Sequence, residues 1–433
     1  MPASNWIGKR VAVIEGVRTP FAKSGSAFKD MTSIDLGILA VRELLARADI
    51  NPNEIDELVY GTVVHSVLAP NIAREVGLGA GVPPVVPAFT VSRACASANQ
   101  AFTSAAETIA RGYSDVSIAG GAESLTDIPI LFSKPLREIL VTAAKAKTPG
   151  QKLAALARIR PKFLAPVTPA IAEPTTGETM GQSADRMAKE NGITREAQDA
   201  WALRSHKLAA AGTADGRLLE EIVPAFIPPA YTDHIDRDNG IREDTTPEKL
   251  AALKPAFDRK YGTVTAGNAS PLTDGASAVL LMSEEKAKAL GYEPLGYIRS
   301  WAYTALAPSG QLLQGPAYAA PLALDRAGVT MNDIDLLEMH EAFAAQVLSN
   351  LQALDSDVFA RKELNRSSKV GIPDESKINV MGGSIAIGHP FGATGGRLTT
   401  TLLRELKRRQ QSLGLITVCA AGAMGFSMVL ERE

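Results

Sequence analysis

Cys95, Cys419, His340 and His389 each stand at the end of an apolar run or inside a turn of Gly and Ala, in a chain with only two cysteines and five histidines. Two thiols and two imidazoles suit acyl transfer. One thiolate attacks a carbonyl, a histidine takes its proton, and the second thiol serves as acid and base. The same four residues also make a Cys2His2 set for zinc. Their spacing speaks against that reading, because no pair shows the short separation of structural zinc sites.

Each position has a local reason to matter. Cys95 precedes ASANQAFTSAAETIARGY, a proline-free run ending at Gly112 with Ala101, Phe102, Ala105, Ala106 and Ile109 on one face. That pattern predicts a buried helix with Cys95 at its start, where the macrodipole and the first-turn N–H groups favour a thiolate. The plain alternative is a small apolar filler. His389 lies in NVMGGSIAIGHPFGATGGRL, whose glycines permit tight turns and whose Pro390 helps aim the imidazole. Neither nucleotide-loop pattern is present there. His340 closes LLEM and precedes the acidic Glu341, near the carboxyl end of a strand, where open parallel sheets place ligands. A satisfied polar residue at a strand end is the alternative. Cys419 ends the apolar run LITV and enters CAAGAMG, where backbone N–H groups can face an anion.

The elements that must position these groups repeat. RADINPNEIDELVYG (47–61) aligns without a gap with RAGVTMNDIDLLEMH (326–340), each reading as a helix end, a capped turn and a strand. RVAVIEGVRTPF and PLGYIRSWAYTA open the two halves as strands. Each half therefore runs strand, helix, strand, helix, strand, which predicts an α/β fold with a mostly parallel sheet. The repeat also predicts that Cys95 and Cys419 occupy corresponding strand–loop–helix regions brought together by a pseudo-twofold axis. Residues 1–126 and 256–291 form the first half, 127–255 an inserted helical and loop domain, and 292–433 the second half.

Composition narrows the classes. A net charge of −2 gives no field that gathers nucleic acid. Two distant cysteines make no disulfide framework, and MPASNWIGKR lacks a secretory apolar core, so the expected compartment is the cytoplasm. No window of about 18 apolar residues spans a membrane. Residues 134–162 carry Lys134, Arg137, Lys145, Lys147, Lys152, Arg158, Arg160 and Lys162 against the lone acid Glu138. Such a stretch lies on an anionic membrane, docks on a partner subunit, or is simply a solvated helix face.

Taken together, Cys95 before an Ala-rich helix, HEAF (340–343), GHPFGATG (388–395) and CAAGAMG (419–425) resemble the thiolase family over essentially the whole chain. GTVTAGNAS (262–270) and MGQSADRMAKENGITREAQD add to the likeness. The resemblance implies a five-layered αβαβα fold of two similar halves, with an inserted domain that holds coenzyme A. It implies Cys95 as the acyl-carrying nucleophile, His389 as its activator and Cys419 as the acid and base. One oxyanion would face His389 and a water held at His340, the other the backbone N–H groups of Cys95 and Ala421. Met180 and Ser270 match positions lining the pantetheine and acyl region. Coenzyme A is then a substrate, with no permanently bound cofactor and no metal.

Two positions depart from the usual pattern. His340 replaces an Asn, and Ala421 replaces a Gly while keeping the backbone N–H. The first change resembles the β subunits of fatty-acid oxidation complexes, which pair with a hydratase–dehydrogenase α subunit. The implied activity is cleavage of 3-ketoacyl-CoA in β-oxidation by a homo-oligomer, a dimer or tetramer. The rivals are a biosynthetic acetoacetyl-CoA thiolase and a non-catalytic scaffold or membrane-attachment subunit.

Overall fold

The computed structural model describes residues 8–167 and 171–433; most of the N-terminal stretch read for a secretory signal lies outside them. The chain opens with β1 (Val11–Arg18), β2 (Ala22–Lys23), α1 (Ser33–Ala48), β3 (Glu57–Gly61), α2 (Ile72–Ala80), β4 (Ala88–Val91), α3 (Ser97–Ala110) and β5 (Val116–Glu123). A helical and loop-rich segment follows, with α4 (Lys134–Lys145), α5 (Pro149–Leu156), α6 (Met180–Glu190), α7 (Arg195–Ala214), the small pair β6 (Ala225–Phe226) and β7 (His234–Ile235), and α8 (Pro247–Ala251). The chain returns to the sheet as β8 (Thr273–Ser283) and leaves it through α9 (Glu284–Ala289). The remainder is β9 (Gly296–Ala305), α10 (Gly315–Ala327), β10 (Leu336–Met339), α11 (Ala344–Leu354), α12 (Asp357–Glu363), α13 (Ser384–Ile387), α14 (Thr394–Arg409), β11 (Leu413–Ala420) and β12 (Met424–Glu431).

The aligned repeat is visible atom by atom. Asp49 and Gly328 both end their helices in the left-handed region, at φ +47° and +68°. Short 3-10 turns follow at Pro52–Glu54 and Met331–Asp333. Asp56 then accepts the N–H groups of Asp115 and Val116, as Asp335 accepts those of Ser412 and Leu413. Each aspartate thereby sets the register between the strand it precedes and that strand's parallel neighbour, β3 with β5 and β10 with β11.

Apart from β2, which pairs with β8, and the separate pair β6–β7, the strands form one sheet in the order β10-β11-β12-β9-β1-β8-β5-β3-β4, with the halves joined where Val11–Val13 of β1 meet β9 antiparallel. Successive side chains alternate faces, so one strand feeds two layers. Val11 and Val13 pack with Phe102 and Ile109 of α3 and Leu398 and Leu402 of α14, in a cluster that also holds Ile416 and Val418 of β11. Ala12 and Ile14 face the other way, onto Leu36 of α1 and Ile72 of α2. In the second half Leu415 and Val429 turn outward onto Leu324 of α10 and Leu351 of α11. Helices α3 and α14 are thus the central layer, flanked by strands and then by outer helices: five layers, as the resemblance implies.

Two expectations need correction. The sheet is mixed: β3–β4, β3–β5 and β10–β11 are parallel, whereas β1–β8, β5–β8, β9–β12, β11–β12 and β1–β9 are antiparallel. The small residues after Cys419 make a tight hairpin, with Gly422 and Ala423 at positive φ, so β12 runs back along β11. Likewise β8 returns from the inserted segment to run antiparallel between β1 and β5. Nor do Cys95 and Cys419 correspond. Cys95 stands before the central helix α3, and its counterpart is the turn before α14; Cys419 lies in β11, the counterpart of β5.

Candidate active site

Cys95 sits in the tight turn between β4 and α3. Its neighbour Ala94 has φ +45°, a conformation costly for any residue with a Cβ. Ser97 holds that turn: its hydroxyl accepts the Arg93 N–H at 2.8 Å and donates to the Ala94 carbonyl at 2.7 Å. Arg93 is fixed in turn by Gln100 and by stacking 4.1 Å over the Tyr303 ring.

His340 follows β10 directly, and its N–H donates to Thr417 O of β11 at 2.8 Å. Its Nδ1 lies 3.0 Å from Ser384 Oγ. His389 is held by its own N–H, which donates to Thr273 Oγ1 at 2.7 Å, and its Nδ1 lies 2.6 Å from Thr394 Oγ1. The two imidazole centroids are 4.1 Å apart. Both Nε2 atoms are buried and have no hydrogen-bond partner among the described residues.

These groups converge. Cys95 Sγ and one nitrogen each from His340 and His389 all lie within 4.8 Å of one another. Cys419 is fully buried in β11, and its thiol is pushed well above the ordinary range, first by burial and then by the charge of Cys95. The backbone N–H of Ala421, in the hairpin turn, reaches the Cys95 sulfur together with Cys95's own N–H. The four side chains and both backbone donors named from sequence therefore share one site. A cation would find three N and S donors there; Cys419 stands outside that set, so the Cys2His2 arrangement is not assembled.

The protonation states differ from expectation at one point. The helix-start position predicts a favoured thiolate, yet burial pushes the Cys95 thiol up to about 11, against the two N–H groups that pull it down. The Glu123 carboxylate raises it slightly further. Burial and the Arg397 guanidinium push His389 down to about 3; burial, His389 and Arg397 push His340 well below its usual value. The resting site is a thiol beside two neutral imidazoles, so sulfur attack has to be coupled to proton removal.

Met180 is the first residue of α6, after the Thr179–Gln182 capping box, and packs in one apolar cluster with Cys419, Phe343 and Leu312. Ser270 donates its N–H to Ala342 O at 2.9 Å, which ties its loop to the segment after His340. Both thus flank the site.

Four further residues support the constellation, and sequence reasoning does not single them out. Glu341 stands out there only as the neighbour of His340. It accepts from Trp201 Nε1 (2.9 Å), Ser205 Oγ (2.7 Å) and Asn379 Nδ2 (2.8 Å), pinning α7 of the inserted segment to the site. Glu123, at the end of β5, accepts the N–H groups of Val63, Val64 and Gly392. Arg397 pairs with Glu338 at 3.0 Å and donates to Ser384 Oγ at 3.1 Å. Thr394 bonds His389. One signal marks two of them: Glu123 in SIAGGAES and Arg397 in GATGGRLTTTLL are each a lone ionic group in an otherwise uncharged run.

Comparison with known proteins agrees with this geometry. The thiolase N-terminal domain matches residues 11–285 and the thiolase C-terminal domain residues 292–432. A 3-ketoacyl-CoA thiolase of Pseudoalteromonas translucida is 54% identical over 424 residues, covering 98% of this chain and 97% of the relative. One from Shewanella halifaxensis is 53% identical, covering 99% and 98%. Among solved structures, the Bacillus anthracis acetyl-CoA acetyltransferase superposes with a TM-score of 0.85 at 34% identity, covering 99% of this chain and all of that one. Human mitochondrial 3-ketoacyl-CoA thiolase gives 0.83 at 30% identity, covering 98% and 99%. The chain belongs to the thiolase family, and it is an acyltransferase.

Proposed function

We infer that the protein is a 3-ketoacyl-CoA thiolase, cleaving 3-ketoacyl-CoA with coenzyme A to acetyl-CoA and a shortened acyl-CoA. The observation that carries this reading is the convergence of the half-buried Cys95 with the buried His340 and His389 beside Cys419, in a chain that shares more than half its residues with proteins of that name. His389 Nε2 takes the Cys95 proton as sulfur attacks the 3-keto carbon. The C2–C3 bond breaks, and the Cys419 thiol protonates the acetyl-CoA carbanion at C2. The Cys419 thiolate then deprotonates coenzyme A, whose sulfur displaces the acyl group from Cys95. In the addition steps the oxygen on the carbon bonded to Cys95 Sγ faces the N–H groups of Cys95 and Ala421, while the thioester enolate oxygen lies toward His389 and the His340 side. Met180 and Ser270 line the pantetheine and acyl path.

Intact-protein mass spectrometry after mixing with a 3-ketoacyl-CoA tests this reading. An adduct of the shortened acyl group on Cys95 is expected, and an unmodified protein overturns it. Running acetoacetyl-CoA against a long-chain 3-ketoacyl-CoA separates the degradative enzyme from the biosynthetic acetoacetyl-CoA thiolase.

The assembly we propose is a homo-oligomer, dimer or tetramer, in the cytoplasm, with a hydratase–dehydrogenase α subunit as partner. Residues 134–162 supply its docking surface. Their cations lie in a region where Ile130, Phe132, Leu153 and Leu164 are all more than half exposed, which suits an anionic bilayer or an acidic partner face. Among the described residues no helix is long and apolar enough to cross a membrane, so any bilayer contact there is peripheral. Co-sedimentation with anionic vesicles distinguishes the two occupants from each other.

A further inference from the structure

The two histidines are held by hydroxyls of opposite sense. Arg397 Nη2 donates to Ser384 Oγ at 3.1 Å, and a guanidinium has no acceptor with which to return the favour. Among the described residues the only acceptor within reach of the single Ser384 proton is its other partner, His340 Nδ1, at 3.0 Å, so the proton points there. An imidazole nitrogen that accepts a hydrogen bond is the bare one, so the neutral ring carries its proton on Nε2. At His389 the arrangement is reversed. Thr394 Oγ1 lies 3.0 Å from the Pro390 carbonyl, which can only accept, so the hydroxyl proton points there. Its oxygen then accepts from His389 Nδ1 at 2.6 Å, and His389 Nε2 is bare.

We propose that Ser384 with Arg397, and Thr394 with the Pro390 carbonyl, are positioning residues that set His340 and His389 in opposite tautomers, the first as a hydrogen-bond donor and the second as a base. Both Nε2 atoms are free of protein partners in the described residues, so each meets the substrate side with the proton count its hydroxyl dictates. Burial first, and the Arg397 charge after it, disfavour a proton on either ring, which keeps both imidazoles neutral and the tautomers meaningful. A water bound at His340 would then accept from Nε2–H, and both its own hydrogens would be left for the substrate oxygen. The tasks assigned to the two rings rest on the thiolase reading; the placement of the protons does not.

Nitrogen-15 NMR of the full-length protein labelled only at its five histidines reads the tautomers directly. The expected result at neutral pH is a bare Nδ1 on His340 and a bare Nε2 on His389. Identical or reversed tautomers overturn the proposal. Ser384→Ala should remove the bias at His340 alone and lower kcat roughly 10- to 100-fold with little change in KM. Thr394→Val should disturb His389 alone. If either variant leaves its own histidine's tautomer unchanged, the proposal fails. Failure of acyl-enzyme formation on Cys95, with the tautomers as stated, would remove the thiolase reading and leave the proton placement standing.

Discussion

The turn that leads into α3 and the turn that leads into α14 occupy matching places in the two halves, and they differ in how much chain precedes them. In the first half β4 pairs with β3 over Leu58–Gly61, and Cys95 follows four residues after β4 ends. In the second half the equivalent pairing shrinks to a single bridge between Leu337 and Ile378. The chain released there forms the 379–393 loop with α13, which delivers Ser384 and His389. Gly392 stands two residues ahead of α14, as Cys95 does ahead of α3. A Cβ on Gly121 of β5 would lie 1.9 Å from the Gly392 carbonyl oxygen, so the loop folds tightly onto the first half. The repeat thus supplies two similar turns that feed one central layer. Their inequality puts the Cys95 thiol on one and the His389 imidazole on the other.

Replacing the group unique to the α3 turn should have the largest effect. Cys95→Ala is expected to abolish the acyl adduct and lower turnover by roughly 10⁴-fold or more, read by mass spectrometry and steady-state rates. Full activity in that variant would show that the α3 turn carries no covalent chemistry. Next comes Cys419, which the repeat places on a strand rather than in either turn. Cys419→Ser should slow exchange of the acetyl-CoA methyl protons with solvent by about 10²- to 10⁴-fold. Acylation of Cys95 by an acyl-CoA should survive, because in the proposed mechanism that step calls on His389. Exchange at the native rate would require the proton to come from elsewhere.

A third test asks whether the helix start or burial governs Cys95. With its thiol near 11, the thiolate fraction climbs roughly tenfold per pH unit through the whole accessible range. The rate of inactivation by iodoacetamide in the substrate-free protein should therefore keep rising from about pH 7 to 10. A plateau near pH 8 would instead mean that the α3 dipole dominates.

How much of this is legible in the sequence follows from the range of each interaction. The cap and turn chemistry of the repeat is local, so RADINPNEIDELVYG and RAGVTMNDIDLLEMH declare helix end, turn and strand correctly. The grouping of the two thiols with two imidazoles is legible because such side chains are scarce in this chain and fall at strand ends and in small-residue turns. Strand direction is not, since LITVCAAGAMGFSMVLE reads equally as a strand entering a loop and as the hairpin it forms. Nor is the state of Cys95. The sulfur of this half-buried residue has beside it the His389 imidazole, almost 300 residues away in the chain. The supporting ionic groups are hidden for the same reason: Glu341 meets Trp201 and Ser205 across |i−j| of 140 and 136.

The smallest effect on turnover, and the finest probe of whether the α3 and α14 turns act as one unit, belongs to Glu123. Its carboxylate accepts Gly392 N–H at 2.9 Å from the α14 turn and Val63 and Val64 N–H at 3.0 and 2.9 Å from the loop after β3, and its charge is felt at Cys95. Burial pushes its carboxyl up to about 7, against those N–H groups. A folded-state value above the unfolded one means that the folded protein holds a proton the unfolded chain has released. The resulting stabilisation is complete below about pH 4.5 and is lost as pH rises through about 7, by up to about 3 kcal/mol. Glu123→Gln cannot titrate. The stability of the native protein relative to this variant should therefore fall as pH rises from about 4.5 to 7, measured by denaturant melts at each pH. A constant difference would mean that the three N–H donors outweigh burial and keep Glu123 ionised throughout. The clamp between the α14 turn and the loop after β3 would then be a fixed charge rather than a proton-bearing carboxyl at the acid end of that range.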